Sequence, residues 1–308
     1  MSIVVRILGA ILLILVALAT VMIWRAQPEP LSQARSEWMN PQDQLVTAAG
    51  QTWRVRTSGP DNAPTLVLIH GFSHSLETWE PLAAQLETSY QVIRFDLPGH
   101  GLSDVRADQA YSVNETVDQV SALLDTIAPE RFYIGGNSLG GLVAWRYGAE
   151  YPQRTQGLIL ISPGGYPNLG VGDEPAPLPA QVRFYLAAAP QVGVEAATAA
   201  LYSDPSRLTE EQLVRIGALM RVDGVGEALI SRVEQFTLPD PNPTLREIDA
   251  PALIIWGARD AMIPATHGPR FNAALSNSEL LLLRDVGHMA QAEAPDAVAE
   301  AIDAFIAD

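Results

Sequence analysis

Phe132-Tyr133-Ile134-Gly135-Gly136-Asn137-Ser138-Leu139-Gly140-Gly141 decides how this chain is read. It begins as a short apolar run with strand character and turns sharply through glycines. It continues into Leu142-Val143-Ala144-Trp145-Arg146-Tyr147, which reads as a helix. Ser138 sits at the apex with Gly136 two residues before it and Gly140 two after, a G-x-S-x-G pattern in a strand–turn–helix setting. A serine held at the tip of so tight a turn takes a strained backbone conformation. Its second neighbours on either side come close together, where a Cβ would clash, so both are glycine. The hydroxyl is pushed out over the carboxyl edge of a sheet, and the free N–H groups of the next helix point at the same place. The bland alternative is a Gly-rich turn whose serine only caps the helix.

The flanking sequence supplies the sheet. Upstream, Gln44–Thr47 and Thr52–Thr57 around Ala48-Ala49-Gly50-Gln51 predict a hairpin. Pro64–Ile69 is a continuous apolar run, as expected of a strand buried on both faces. Ser75–Glu87 carries Leu76, Trp79, Leu82, Ala83 and Leu86 at helical spacing. Tyr90–Phe95 predicts the next strand and Ser112–Ile127 the next helix. Downstream, Gly157–Ile161 is another buried strand. The pattern returns with Pro251–Trp256, a helix over Ala265–Leu275, a last strand at Glu279–Leu283 and a closing helix at Pro295–Ile306. Strands alternating with helices imply an α/β fold with a mostly parallel, doubly wound sheet, whose ligands bind at the carboxyl ends of the strands. Between Ser162 and Pro243 no strand is convincing. Helical segments near Ala180–Ala189, Val194–Tyr202, Thr209–Met220 and Val225–Gln235 predict a helical insertion before the last two strands. The expected organisation is therefore an N-terminal segment (1–25), a linker (26–43), a first core part (44–162), the helical insertion (163–243) and a second core part (244–308).

Composition narrows the chemistry. The chain has 308 residues and no cysteine, which removes disulfides, thiolate nucleophiles and thiolate metal sites. All 19 basic side chains are arginine, so lysine Schiff-base chemistry and Walker-type phosphate binding are excluded. A net charge of −16 with no basic stripe argues against a nucleic-acid partner. Ile7 to Trp24 is an uncharged apolar run between Arg6 and Arg25, long enough to span a membrane. A signal peptide cut after Ala17-Leu18-Ala19 is the alternative. The run continues beyond that point through Val21–Trp24, which favours an uncleaved anchor with the catalytic domain outside the cytoplasm; cleavage would give a secreted or periplasmic protein.

A serine nucleophile needs a base, and the base an orienting acid. Of the five histidines, His288 follows the last strand at the edge where Ser138 emerges. His70 ends the first buried strand, where it would fix a loop, and His100 lies between glycines. His74 sits near the site mouth within reach of substrate, and His267 reads as solvent-facing or capping. Asp260 follows the strand next to the last one, whereas Ser162-Pro163-Gly164-Gly165 offers no carboxylate and Asp285 reads as a turn residue. The order Ser138, Asp260, His288 is that of an α/β-hydrolase triad.

With these residues placed, the chain resembles the α/β-hydrolase family. The resemblance rests on His70-Gly71-Phe72, Asp96-Leu97-Pro98-Gly99-His100-Gly101-Leu102-Ser103-Asp104, Gly136–Gly141, Trp256-Gly257-Ala258-Arg259-Asp260 and Gly287-His288, and it runs from about Gln44 to the C-terminus. It implies that the helical insertion is a lid and that the backbone N–H groups of Phe72 and Leu139 form an oxyanion hole. It also implies acyl-enzyme chemistry without cofactor or metal. A serine in place of aspartate speaks against epoxide hydrolase and haloalkane dehalogenase chemistry. Phe72, Leu139, His74, Met262, Ile263 and Met289 predict a mainly apolar substrate pocket, suited to small apolar esters. The alternatives are a carbon–carbon bond hydrolase of ring-cleavage products, whose carboxylates would call on Arg183 or Arg259, and a non-catalytic binding module on the same fold.

Overall fold

The computed structural model describes residues 28–307. After helix α1 (Leu31–Trp38), strands β1 (Asp43–Ala48) and β2 (Gln51–Ser58) form the expected hairpin. The chain continues through β3 (Thr65–Ile69), α2 (Glu80–Leu86), β4 (Gln91–Phe95), α3 (Val113–Ile127), β5 (Phe132–Asn137), α4 (Leu139–Glu150) and β6 (Thr155–Ile161). Five helices follow without an intervening strand: α5 (Ala180–Ala188), α6 (Gln191–Ala199), α7 (Glu210–Met220), α8 (Val225–Gln235) and the short α9 (Asn242–Leu245). Then come β7 (Ala252–Gly257), α10 (His267–Ala274), β8 (Ser278–Leu283), α11 (Ala290–Glu293) and α12 (Pro295–Ala307).

The strands form one eight-stranded sheet in the order β1-β2-β4-β3-β5-β6-β7-β8. β1 and β2 are antiparallel to their neighbours, and every pairing from β4 to β8 is parallel. Alternation along β3 explains its unbroken apolar run. Val67 and Ile69 pack under α3, α4 and α10. Leu66 and Leu68 pack under α2, α11 and α12. With both faces covered, the connecting loops lie at the two ends of the strands, and β3, β5, β7 and β8 deliver the candidate site residues at the carboxyl end.

Local chemistry sets several boundaries. Ser112 caps α3 in a reciprocal capping box with Glu115. The single helix expected over Ser75–Glu87 is split into a 3-10 turn, Leu76–Trp79, and α2. Pro81 lacks the N–H that would bond back to Glu77, so it fits only at the start of a new helix. Within the expected linker, Leu31–Trp38 is helical. It buries Ala34, and Arg35 pairs with Asp104 and donates to the Leu102 carbonyl. Arg54 lies buried among Asp43, Glu77 and Asp96. Asp96 in turn accepts the amides of Leu76 and Leu102, at 2.7 and 2.8 Å, and so pins two loops at the sheet edge.

The expectation of a membrane anchor, and of a catalytic domain held outside the cytoplasm by it, is corrected. No helix among the described residues is long and apolar enough to cross a membrane. The run Ile7–Trp24 on which that expectation rested lies outside the described residues.

Candidate active site

Ser138 stands between β5 and α4 at φ 57° and ψ −115°, the strained turn its glycine spacing predicts. A Cβ on Gly136 would fall 2.3 Å from the Gly140 carbonyl carbon. One on Gly140 would fall 2.0 Å from the Ile69 carbonyl oxygen. Both glycines are therefore required by contact distance. The serine's own backbone is pinned on both sides, its amide donating to Ile161 at 3.1 Å and its carbonyl accepting from Gly164 at 3.0 Å.

The loop after β8 brings His288 back to the same edge, and the loop after β7 brings Asp260. The two meet at 2.8 Å, His288 Nδ1 to Asp260 Oδ2, with both side chains buried. A carboxylate accepts, so the proton lies on Nδ1 and Nε2 is the free basic nitrogen. Asp260 Oδ1 accepts the amides of Met262 and Ile263 at 2.8 and 2.9 Å. Burial pushes the Asp260 carboxyl up, but the His288 ring and those two amides outweigh it and leave it below the ordinary carboxylate range. Asp285, read as a turn residue, is exposed and pairs with Arg259.

His70 is fully buried. Its Nε2 accepts the Leu97 amide at 2.9 Å, so Nδ1 carries the proton and donates to the Gly71 carbonyl at 2.8 Å. That carbonyl shares a peptide plane with the Phe72 N–H, so holding one aims the other. Among the described residues neither the Phe72 nor the Leu139 amide donates to a loop or turn partner. Burial drives His70 down to about 3, so it stays neutral. Burial also lowers His74, whose Nδ1 contacts the Phe72 carbonyl at 3.0 Å.

Two cavities meet at Ser138. One, of about 230 Å³, is bounded by Leu139, Tyr166, Val171, Phe236, Leu238 and Ile263 among others. The second, of about 240 Å³, is bounded by His74, Tyr185, Thr198, Leu201, His288 and Met289 among others. Phe72, Val233 and Met262 border both. Every expected substrate-contacting residue, His74, Met262, Ile263 and Met289, thus lines one or both.

Other expectations fail. Arg183 is exposed and paired with Glu234, and Arg259 is exposed beside Asp285; neither borders either cavity. The arginine that does is Arg232 on α8, buried and donating to Pro98 O, Tyr111 O and Thr116 Oγ1. His267 is buried against Tyr166 and Trp256 instead of facing solvent, because the turn before α10 folds inward on the core. Three supporting residues had no sequence signal. Asn137 Nδ2 donates to the His288 carbonyl at 3.0 Å. Glu293 Oε1 accepts the Gly287 amide at 2.8 Å, while its Oε2 accepts the Ser203 amide and hydroxyl at 2.8 and 2.7 Å. The Leu201 carbonyl accepts the His288 amide at 2.7 Å.

The family model of the alpha/beta hydrolase fold matches residues 64–295, and the chain belongs to that family. It is 31% identical over 271 residues to the dihydrolipoyllysine-residue acetyltransferase component of the acetoin cleaving system of Pseudomonas putida, covering 86% of this chain and 70% of that one. It is 27% identical over 276 residues to the 2-hydroxy-6-oxononadienedioate/2-hydroxy-6-oxononatrienedioate hydrolase of Klebsiella pneumoniae subsp. pneumoniae, covering 85% and 94%. Among solved structures, a candidate lipase from Acinetobacter baumannii AYE superposes with a TM-score of 0.74 at 27% identity, over 90% of this chain and 94% of that one.

Proposed function

We propose that this α/β-hydrolase is a serine hydrolase acting on carboxylic esters with apolar substituents. Ser138 attacks the carbonyl carbon as His288 Nε2 takes its proton, and Asp260 holds the imidazole and stabilises the imidazolium. The Phe72 and Leu139 amides receive the oxyanion; each such donor is worth about a hundredfold or more in rate. The carbonyl–alkoxy bond then breaks, His288 returns the proton to the departing alcohol, and the acyl group stays on Ser138. Water, deprotonated by His288, cleaves the acyl–serine bond and restores the hydroxyl. None of these steps calls for a cofactor or metal. Residues 163–243 act as a lid over a core made of residues 44–162 and 244–308, and His74, Met262, Ile263 and Met289 contact substrate.

One observation carries the ester reading. The cavity at Ser138 that lies away from His288 is walled mostly by aromatic and aliphatic side chains, and Arg232, the one cation that borders it among the described residues, spends its two terminal nitrogens on Pro98, Tyr111 and Thr116 and leaves only its buried Nε without a partner. The second reading, a carbon–carbon bond hydrolase, is favoured by the likeness to the Klebsiella hydrolase but wants a cation free to meet a carboxylate. The test assays the full chain against p-nitrophenyl esters of increasing acyl length, beside Ser138→Ala. Turnover that disappears in the variant supports the ester reading. Folded protein that leaves every ester intact while cleaving a ring-opened dienoate would replace it with the second.

A further inference from the structure

Sulfur in this chain is confined to methionine, so no thiol competes for an oxidant. Met39, Met220, Met262 and Met289 lie among the described residues. Met220 and Met289 are buried and Met39 is half-buried, whereas Met262 is 38% exposed. The Tyr185 hydroxyl lies 4.0 Å from the Met220 sulfur, and Gln291 Nε2 lies 3.9 Å from that of Met289. Among the described residues no donor engages the Met262 sulfur. The lone pair that an oxidant must reach is therefore covered in the two buried methionines and open in Met262. With Phe72 and Val233, Met262 also borders both cavities at Ser138. Its backbone is fixed, the amide donating to Asp260 Oδ1 at 2.8 Å and the carbonyl accepting from Asn168 Nδ2 at 2.9 Å.

We infer that Met262 is an oxidation-sensitive site, where hydrogen peroxide converts an apolar part of the cavity wall into a polar one and lowers the turnover of apolar substrates. In the step a sulfur lone pair attacks one peroxide oxygen. The S–O bond forms as the O–O bond breaks, and the sulfur gives up two electrons. The proton of the transferred oxygen passes to the departing hydroxide, so the products are one sulfoxide and one water, and a sulfoxide reductase reverses the change. The new oxygen is a strong acceptor, and the walls offer it little. Arg232 spends its terminal nitrogens on Pro98, Tyr111 and Thr116 and keeps only a buried Nε without a partner. His74 uses its Nδ1 on the Phe72 carbonyl, which leaves Nε2 an acceptor. An oxygen left unpaired there, or attended by water drawn into the cavity, disfavours an apolar substituent. Because the Met262 backbone stays tied to Asp260 and Asn168, the acid keeps its place and the penalty grows with the size of that substituent. For its effect on turnover the inference rests on the ester reading above.

The experiment treats the full chain with hydrogen peroxide, maps the oxidised peptides by mass, and assays p-nitrophenyl acetate and hexanoate. Met262 should gain its oxygen ahead of Met39, Met220 and Met289. In step with it, kcat/KM for the hexanoate should fall about tenfold, the scale set by one unpaired polar group in an apolar path. The acetate should lose less, and methionine sulfoxide reductases should restore both rates. Met262→Leu should keep its own starting rate through the same treatment. Met262→Gln, which puts a polar group there without oxidation, should shift preference from hexanoate towards acetate, and it serves should Met262→Leu not fold. Several results would overturn the inference: Met220 or Met289 oxidised as fast as Met262, complete conversion of Met262 with hexanoate turnover intact, equal losses on the two esters, or an equal loss in Met262→Leu. Untreated protein that hydrolyses neither ester would count against the ester reading alone. The order of oxidation would still be read from the digest. The rate at which an alkylphosphonate p-nitrophenyl ester labels Ser138 would then be compared before and after peroxide, a fall supporting the inference and no change overturning it.

Discussion

At the carboxyl edge of the sheet, each site residue is held by several independent contacts. Ser138 is fixed by three backbone bonds, to Ile161, Leu142 and Gly164, and by glycines that leave no room for a Cβ. Asp260 is fixed by two amides and a histidine, and Phe72 by a peptide plane whose carbonyl His70 holds. The helical insertion meets the same site differently. It supplies wall: Tyr185, Thr198, Leu201, Val233 and Phe236. Its polar attachment to the loop of His288 is concentrated in Leu201 and Ser203, through the His288 amide, the Asp285 carbonyl and Glu293. Meanwhile the first turns of α5 lie exposed, with Phe184 at 64% and Val182 at 41%. Rigid, redundant support suits groups that must be placed to a fraction of an ångström, and a wall can vary without disturbing them. Changes at the edge should act on kcat, and changes in the insertion on which substrate is taken.

The largest effect is expected where the edge has no substitute. Asp260→Asn keeps the shape but can present a donor to Nδ1, favouring the wrong tautomer of His288. We expect kcat to fall on the order of 10⁴-fold with little change in KM, because the interaction is made mainly in the transition state. Steady-state kinetics check this, with a thermal melt to show that the fold is kept. Turnover near that of the parent would remove Asp260 from the site.

A smaller effect is expected where the two regions join. Glu293→Gln replaces one acceptor oxygen with a donor, so either the Gly287 or the Ser203 amide loses its partner. A buried donor left unsatisfied costs about 1–3 kcal/mol. A chain of this size should lose about 1–2 °C in Tm for each kcal/mol. If the bridge positions His288, kcat should fall about tenfold with KM nearly unchanged, and Glu293→Asp should recover part of it. A loss of Tm with kcat intact would make Glu293 a structural tie only, and the insertion would then be independent of the catalytic loop.

How much was legible beforehand follows the same division. Gly136, Ser138 and Gly140 could be read because one turn geometry dictates all three. The strands around them could be read because burial on both faces leaves unbroken runs such as Leu66–Ile69. Asp260 and His288 followed from strand order alone. Arg183 and Arg259 were named only for the carbon–carbon alternative, and Arg232 was missed because its partners are carbonyls at Pro98 and Tyr111, more than a hundred residues away. The helix Leu31–Trp38 was missed because it buries one side chain, Ala34, and so carries little periodic signal. His267 was misplaced because its neighbours Tyr166 and Trp256 come from other parts of the chain. Sequence position reports local geometry well, and reports poorly a burial created by distant segments.

Acid offers the finest test of the contrast between the two regions. His70 and His100 are buried at the sheet edge, and residues 163–243 contain no histidine. Burial lowers His70 from 6.5 to about 3 and His100 well below 6.5, so both are neutral in the fold. Once unfolded they would take up protons near 6.5. Below that pH the unfolded chain binds more protons at these two sites than the native one, so their contribution to stability falls as pH falls. Their contribution is fully present above about pH 6.5 and is lost progressively on the way down, for His70 as far as about pH 3. Each histidine steepens the loss by about 1.4 kcal/mol per pH unit. His70→Asn can still donate to the Gly71 carbonyl but does not ionise. Its melting temperature should therefore decline less steeply between pH 6.5 and 5 than that of the parent, even if it begins lower. Equal slopes would mean that His70 is not neutral and buried as described. In that case the Phe72 amide would lack the fixed peptide plane on which the difference between edge and insertion rests.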